Sequence, residues 1–192
     1  MRTIKGLSEQ IGNIVEMMLI SLLIVCLVFA YFLHMTRISG DSMMNTLGSG
    51  DTVIMSAFYG KANSGDIVVI DADESVTYDY KGDLKSSIGM NKYIVKRIIA
   101  TGGQTVDIDF SSGSVYVDGE KLSEPYLSSL THLDEGGFTG AYPLKVPEGY
   151  VFVMGDNRRV SLDSRSDKLG FVKEDKIMGE VLFGVSPFGV IE

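Results

Sequence analysis

Hydrophobic and polar positions divide the chain into two unequal parts with different periods. From Ile14 to Leu33 the sequence IVEMMLISLLIVCLVFAYFL is apolar on every side of a helix, with Glu16 as its one charge. At 1.5 Å per residue such a helix spans roughly 30 Å, the thickness of a hydrocarbon core. A cleaved leader has a shorter apolar stretch of about 7–15 residues and a small-residue cleavage site. Ala30-Tyr31-Phe32 offers no such site, and Val25 before Cys26 is not the small residue a lipid-modified cysteine requires. The pattern therefore predicts a retained transmembrane anchor over 14–34, preceded by a short segment, 1–13. Arg2 and Lys5 on one flank against Arg37 on the other put that segment in the cytoplasm and the body, 35–192, outside it.

After Leu33 the helical period disappears. Short runs rich in valine, isoleucine and tyrosine follow, separated by glycine, aspartate and asparagine. They predict strands at 52–55, 67–70, 93–100, 105–108, 114–117, 150–154 and 176–185. Val115 to Leu122 has the form of a hairpin, with Asp118-Gly119 in the two positive-φ positions of a tight turn. With no long amphipathic helix beyond the anchor, the expected fold is mainly β, a sandwich or folded barrel. Residues 122–146 hold Pro125, Gly136, Gly137, Gly140 and Pro143 with little alternation, which marks a loop-rich insert or a flexible excursion. The polar stretch 71–91 reads as a long hairpin tip or loop, and the adjacent aromatics Phe58-Tyr59 as core residues.

At 192 residues there is room for one ordinary domain plus the anchor. The formal net charge of −8 argues against nucleic acid as a partner, since phosphate binding wants a basic face. It does not argue against a bilayer, because apolar insertion needs no positive charge. Cys26 is the single cysteine, so neither a disulfide framework nor a thiolate metal site can form. There is no H-E-x-x-H and no clustered His/Cys set; no metal or organic cofactor is expected. His34 and His132 lie in settings that do not point to a Ser-His-Asp arrangement. Gly102-Gly103 lacks the strand-to-helix context of a phosphate loop.

Among familiar activators of a nucleophile, lysine remains. In Tyr93-Ile94-Val95-Lys96-Arg97-Ile98-Ile99 a strand puts Lys96 on one face with Ile94 and Ile98. Burial there disfavours the ammonium and lowers its pKa from about 10.4 towards the range of a base. Ser42, in Ser39-Gly40-Asp41-Ser42-Met43-Met44-Asn45-Thr46-Leu47, is a nucleophile such a base could serve. Taken singly, both residues have plainer readings. A strand lysine commonly lies along the surface with its amine in water, and a serine after Gly-Asp is commonly a turn residue.

Three segments taken together decide between these. Residues 39–47, 93–104 and 155–165 (Gly155-Asp156-Asn157-Arg158-Arg159-Val160-Ser161-Leu162-Asp163-Ser164-Arg165) closely resemble, in order, the motif blocks of bacterial type I signal peptidases. The likeness extends to Gly50-Asp51, Gly65-Asp66-Ile67-Val68-Val69 and Gly170-Phe171-Val172, and covers nearly all of 36–185. Two positions depart from the family pattern: Asn45 stands where a proline is usual, and Ala100-Thr101-Gly102-Gly103-Gln104 replaces a Gly-x-Pro-Gly-Asp turn.

The resemblance implies an all-β peptidase domain with Ser42 as nucleophile and Lys96 as general base. It further implies that Ser161 hydrogen-bonds and aims the lysine amine, while Asp163 and Arg165 support that block as a pair. Glycine at position 40 is similar to the Gram-positive style of the family. Small side chains before the cut would be selected by Met43, Leu47, Ile94 and Val95, with Val53 at the third site. An extended substrate would add as a strand beside 40–42 or 93–95. The implied partners are secretory preproteins, the lipid bilayer and the protein translocation channel, at the cell membrane. A self-cleaving Ser/Lys peptidase of the repressor type and a non-catalytic, membrane-tethered β-domain are the other readings. The anchor argues against the first, and the joint presence of Ser42, Lys96 and Ser161 against the second.

Overall fold

The apolar stretch forms one helix, α1 (Arg2–Tyr31), in the computed structural model, which describes residues 2–138, 142–186 and 188–190. Within it Gln10–Tyr31 has a mean hydropathy of 2.6, long and apolar enough to cross a membrane. The helix begins earlier and ends sooner than the apolar run alone predicts. Polar helix formers such as Lys5, Glu9 and Gln10 extend it backwards, while Leu33 and His34 already belong to a strand, β1 (Leu33–Arg37). Residues 1–34 and 35–192 form separate units, each described here by itself.

The larger unit is built almost wholly of strands. They are β2 (Thr52–Ser56), β3 (Ile67–Asp71), β4 (Glu74–Tyr78), β5 (Leu84–Ile88), β6 (Tyr93–Thr101), β7 (Thr105–Asp109) and β8 (Ser114–Val117). There follow β9 (Glu120–Lys121), β10 (Leu144–Lys145), β11 (Tyr150–Met154), β12 (Val172–Lys173), β13 (Ile177–Ser186) and β14 (Phe188–Val190). One large sheet runs in the order β1-β2-β13-β3-β6-β11-β12, with β14 also on β13. A four-stranded sheet, β10-β7-β8-β9, and the hairpin β4-β5 complete it.

The predicted 115–122 hairpin forms with Tyr116 opposite Lys121, and Asp118 and Gly119 take φ of 52° and 83°. Of the two readings of the 71–91 stretch, the hairpin holds: it is the β4-β5 ribbon. The alternation there is hidden because β5, Leu84-Lys85-Ser86-Ser87-Ile88, is exposed along its whole length. Phe58 is 78% exposed rather than in the core; only Tyr59 packs inward, its hydroxyl donating to Asp66 at 2.7 Å.

Two sides of the large sheet are covered. Ile99, Ala100, Phe152, Met154 and Phe171 pack with Val106, Ile108, Val115 and Val117 of the four-stranded sheet. Val68, Ile70, Ile94, Ile98, Val151 and Val153 form a second cluster, and Ile38, Met43, Leu47, Val53, Met55, Val69 and Val181 a third. The insert is irregular yet packed: Phe138 is buried in the first cluster, and Ser129 and Gly136 bridge to Asn157 and Ser166. It lies against the 155–165 block rather than standing away as an excursion.

Candidate active site

β6 carries Lys96 into the interior. The strand is paired on one side with β3, where Val68 faces Lys96, and on the other with β11, where Met154 faces Arg97. That second pairing stops at Arg97, so the β11-facing edge of Tyr93–Val95 is left without a ladder partner among the described residues. After Met154 the chain turns away as Gly155-Asp156-Asn157 and lies against the segment that holds Ser42. This brings the three sequence blocks together.

Lys96 is 3% exposed, and its Nζ donates to Ser42 Oγ at 2.8 Å and to the Val95 carbonyl at 2.9 Å. Burial lowers its pKa from 10.5 to about 8. The nearby Lys92 and Arg165 charges push the same way, while Asp163 and Asp156 oppose them. At about 8, roughly a tenth of the amine is neutral at pH 7, against well under a thousandth for a solvated lysine.

Ser42 lines a cleft of about 710 Å³. Gly40, two residues earlier, has φ of +93°, a conformation L side chains rarely adopt, which is a backbone reason for glycine at this position. Gly155 is required for another reason: a methyl there would overlap the Ser42 carbonyl and Ser161 Oγ. Only glycine lets the third block come this close to the nucleophile.

The supporting residues are buried beneath. Arg165 forms a two-pronged pair with Asp163, Nε to Oδ1 and NH2 to Oδ2, each at 2.9 Å, with both side chains fully buried. Burial works to raise the Asp163 carboxyl; Arg165's charge and hydrogen bonds outweigh it and hold the group below its ordinary range. Asp163 also accepts the Gly155 N–H at 3.1 Å, so the pair fixes the turn over Ser42. Ser161 is buried next to Gly155, where its hydroxyl helps hold the Asp163 carboxyl low, and it is not among the groups that accept from Lys96 Nζ. The expected bond from Ser161 to the amine is therefore not formed; the Val95 carbonyl takes the amine's second donor.

Of the predicted substrate-contact residues, Gly40, Met43, Ile94 and Val95 line the cleft, joined by Ile38, Val69 and Met90. Leu47 and Val53 do not. They are 2% and 0% exposed in the cluster below Met43, so they form the floor under the cleft and not its wall.

Sequence reasoning missed the polar scaffold. Arg97 pairs with Asp156 (NH2 to Oδ2, 2.8 Å) and stacks on Tyr126 at 3.9 Å, while Asp156 also accepts from Thr46 of the nucleophile loop. Arg158 donates to the Gly155 carbonyl and to Thr131 and Glu124 of the insert. No local signal in the sequence announces partners so far apart along the chain. Among the described residues no group of three or more His, Cys, Asp or Glu could hold a metal.

The family model described as "Signal peptidase, peptidase S26" matches residues 11–185. Signal peptidase I of Bacillus licheniformis is 34% identical over 184 residues, 92% of this chain and 89% of that protein. Signal peptidase I T of Bacillus subtilis is 35% identical over 176 residues, 88% of this chain and 82% of its own length. A solved signal peptidase I from Enterococcus faecalis, 27% identical, covers 64% of this chain and 98% of that one with a TM-score of 0.45.

Proposed function

The chain belongs to the signal peptidase family, peptidase S26, and on that premise we propose that it removes signal peptides with a Ser42/Lys96 dyad, cutting after a small-x-small sequence. It is a serine endopeptidase of the signal peptidase I kind, and its substrates are preproteins bearing signal peptides. The observation that supports the dyad is the contact of a buried, partly neutral amine with a hydroxyl lining a cleft.

The neutral Lys96 amine takes the Ser42 proton as Oγ attacks the scissile carbonyl. The resulting ammonium returns that proton to the leaving amine, and the signal peptide remains as an ester on Ser42. Water, deprotonated by the same amine, then hydrolyses the ester and restores the hydroxyl. The Ser42 backbone N–H is the donor to the oxyanion; a single such donor is worth about 3–4 kcal/mol in serine peptidases. Asp163 and Arg165 hold the turn, and Ser161, buried beside Gly155, is the hydroxyl that takes up the amine when substrate displaces its present partners.

The substrate lies as an extra strand along the open edge of Tyr93–Val95, its backbone bonds reading no sequence. Met43, Ile94 and Val95, which line the cleft, would select side chains about the size of alanine at the first and third positions before the cut. In this reading the helix Gln10–Tyr31 spans the membrane with its N-terminus in the cytoplasm, and the peptidase domain acts on the outer side, where preproteins leave the translocation channel.

The test is incubation of a secretory preprotein with the detergent-solubilised full chain, the cut mapped by mass. A cut after a small-x-small sequence, absent with Ser42→Ala, is expected. Cleavage at bulky positions, or cleavage that survives Ser42→Ala, counts against the reading.

A further inference from the structure

Asn157 lines the cleft and makes two contacts with the backbone of the nucleophile segment. Its side-chain Nδ2 donates to the Asp41 carbonyl at 3.1 Å, and its own backbone N–H donates to the Ser42 carbonyl at 2.9 Å. The Asp41 carbonyl and the Ser42 N–H are the two ends of one peptide unit. That unit is not among the cis bonds of the chain, and in a planar trans peptide the carbonyl and the N–H point in opposite directions. A bond that fixes the carbonyl thus fixes the direction of the N–H.

We infer that Asn157 is a positioning residue whose carboxamide aims the Ser42 N–H at the oxyanion. This rests on the reading of Ser42 as nucleophile given above. The segment needs such a clamp. Gly40 sits at a positive φ with open space where a side chain would be, and its own N–H makes only a 3.3 Å bond to Ser49 Oγ. Apart from Asn157, the Asp41 carbonyl receives, among the described residues, the Met44 N–H alone, also at 3.3 Å. The shortest bonds on the peptides that flank the nucleophile come from Asn157.

Asn157 is itself well held. Its carbonyl accepts the N–H groups of Val160 and Ser161 at 3.2 and 3.1 Å, and its neighbours Asp156 and Arg158 are buried and ion-paired. The carboxamide therefore projects from the buried, ion-paired third block onto the Asp41–Ser42 peptide. A preorganised donor is the kind of group whose orientation matters in the transition state and not in the bound substrate.

The experiment measures kcat, KM and the pH profile of preprotein cleavage for the full chain and for Asn157→Ala and Asn157→Leu, with Ser42→Ala beside them. Both Asn157 variants keep the backbone bond to Ser42 and remove only the carboxamide. The expected result is a loss in kcat of about ten- to a hundredfold, part of the 10²–10³ lost when an oxyanion donor is removed outright. KM and the pH midpoint set by Lys96 stay in place. A substrate-like peptide aldehyde, whose adduct with Ser42 carries the oxyanion, loses affinity by a similar factor. A kcat within threefold of the parent in either variant overturns the inference. So does a rise in KM that accounts for the whole loss, or a shifted pH midpoint. If instead Ser42→Ala still cleaves, the dyad reading has failed and not this refinement of it.

Discussion

Replacing Lys96 by methionine separates catalysis from stability, because the two respond in opposite directions. Methionine has nearly the bulk of lysine and no charge to desolvate. In the folded chain the amine is lowered from 10.5 to about 8, chiefly by burial. That difference corresponds to about 3 kcal/mol by which folding disfavours the charged form. The unfolded chain keeps the proton up to about 10.5 and the folded chain releases it near 8. Between those values the unfolded state binds more protons, so the stability of the parent rises with pH across this window. Below pH 8 the burden is present in full; above 10.5 it is gone.

Lys96→Met therefore gains stability at pH 7, by about 1 kcal/mol once roughly 2 kcal/mol is deducted for the two lost hydrogen bonds, to Ser42 and Val95. The gain shrinks as pH climbs from 8 to 10.5, and cleavage is lost throughout. Urea unfolding of the full chain and the variant in the same detergent, at a series of pH values, reads this as a difference. Contributions from other groups, such as the buried Tyr126 and Tyr142 hydroxyls, are common to both proteins and cancel. A variant less stable than its parent at pH 7, or a difference that does not change between pH 8 and 10.5, would refute the claim that Lys96 is held partly neutral by burial.

Other consequences are as direct. Because the neutral amine is the reactive form, kcat/KM should rise with pH through a midpoint near 8; a midpoint above 10 would show an ordinary solvated lysine. Gly155→Ala puts a methyl into the Ser42 carbonyl and Ser161 Oγ, and should cost about 1–3 kcal/mol in stability and most of the cleavage rate. Wild-type cleavage by that variant would mean the third block does not seat against the nucleophile. Asp163→Asn leaves Arg165 as an uncompensated buried charge and should destabilise the domain by about 3–5 kcal/mol, read as a lowered urea midpoint.

What could be read from the chain depended on how local its cause is. Strand positions followed from short runs rich in valine, isoleucine and tyrosine between turn residues, and the Asp118-Gly119 turn from the φ values those residues tolerate. The 71–91 stretch read as a hairpin tip or a loop, and the two were not separable because β5 is exposed along its whole length and shows no apolar alternation. Ser42 and Lys96 were legible through their surrounding blocks, and the structure brings them within hydrogen-bond distance. Leu47 and Val53 lie buried in the cluster that also holds Met43 and do not line the open cleft, a distinction that a short apolar stretch does not carry. The Glu124–Arg158 and Thr46–Asp156 contacts join residues 34 and 110 apart, and nothing at either end reveals the other. Asn157 was visible as a motif residue, but its contact with Asp41 exists only once the third block folds over the first.

The central claim is that Ser42 attacks because Lys96 takes its proton. It is tested most directly by single-turnover cleavage of one preprotein by the parent chain, Ser42→Ala and Lys96→Met, each shown to be folded in detergent at pH 8. The account predicts that both variants fall by at least about a hundredfold, the lower bound for loss of a general base. Retention of more than about a tenth of the parent rate by either one would contradict it.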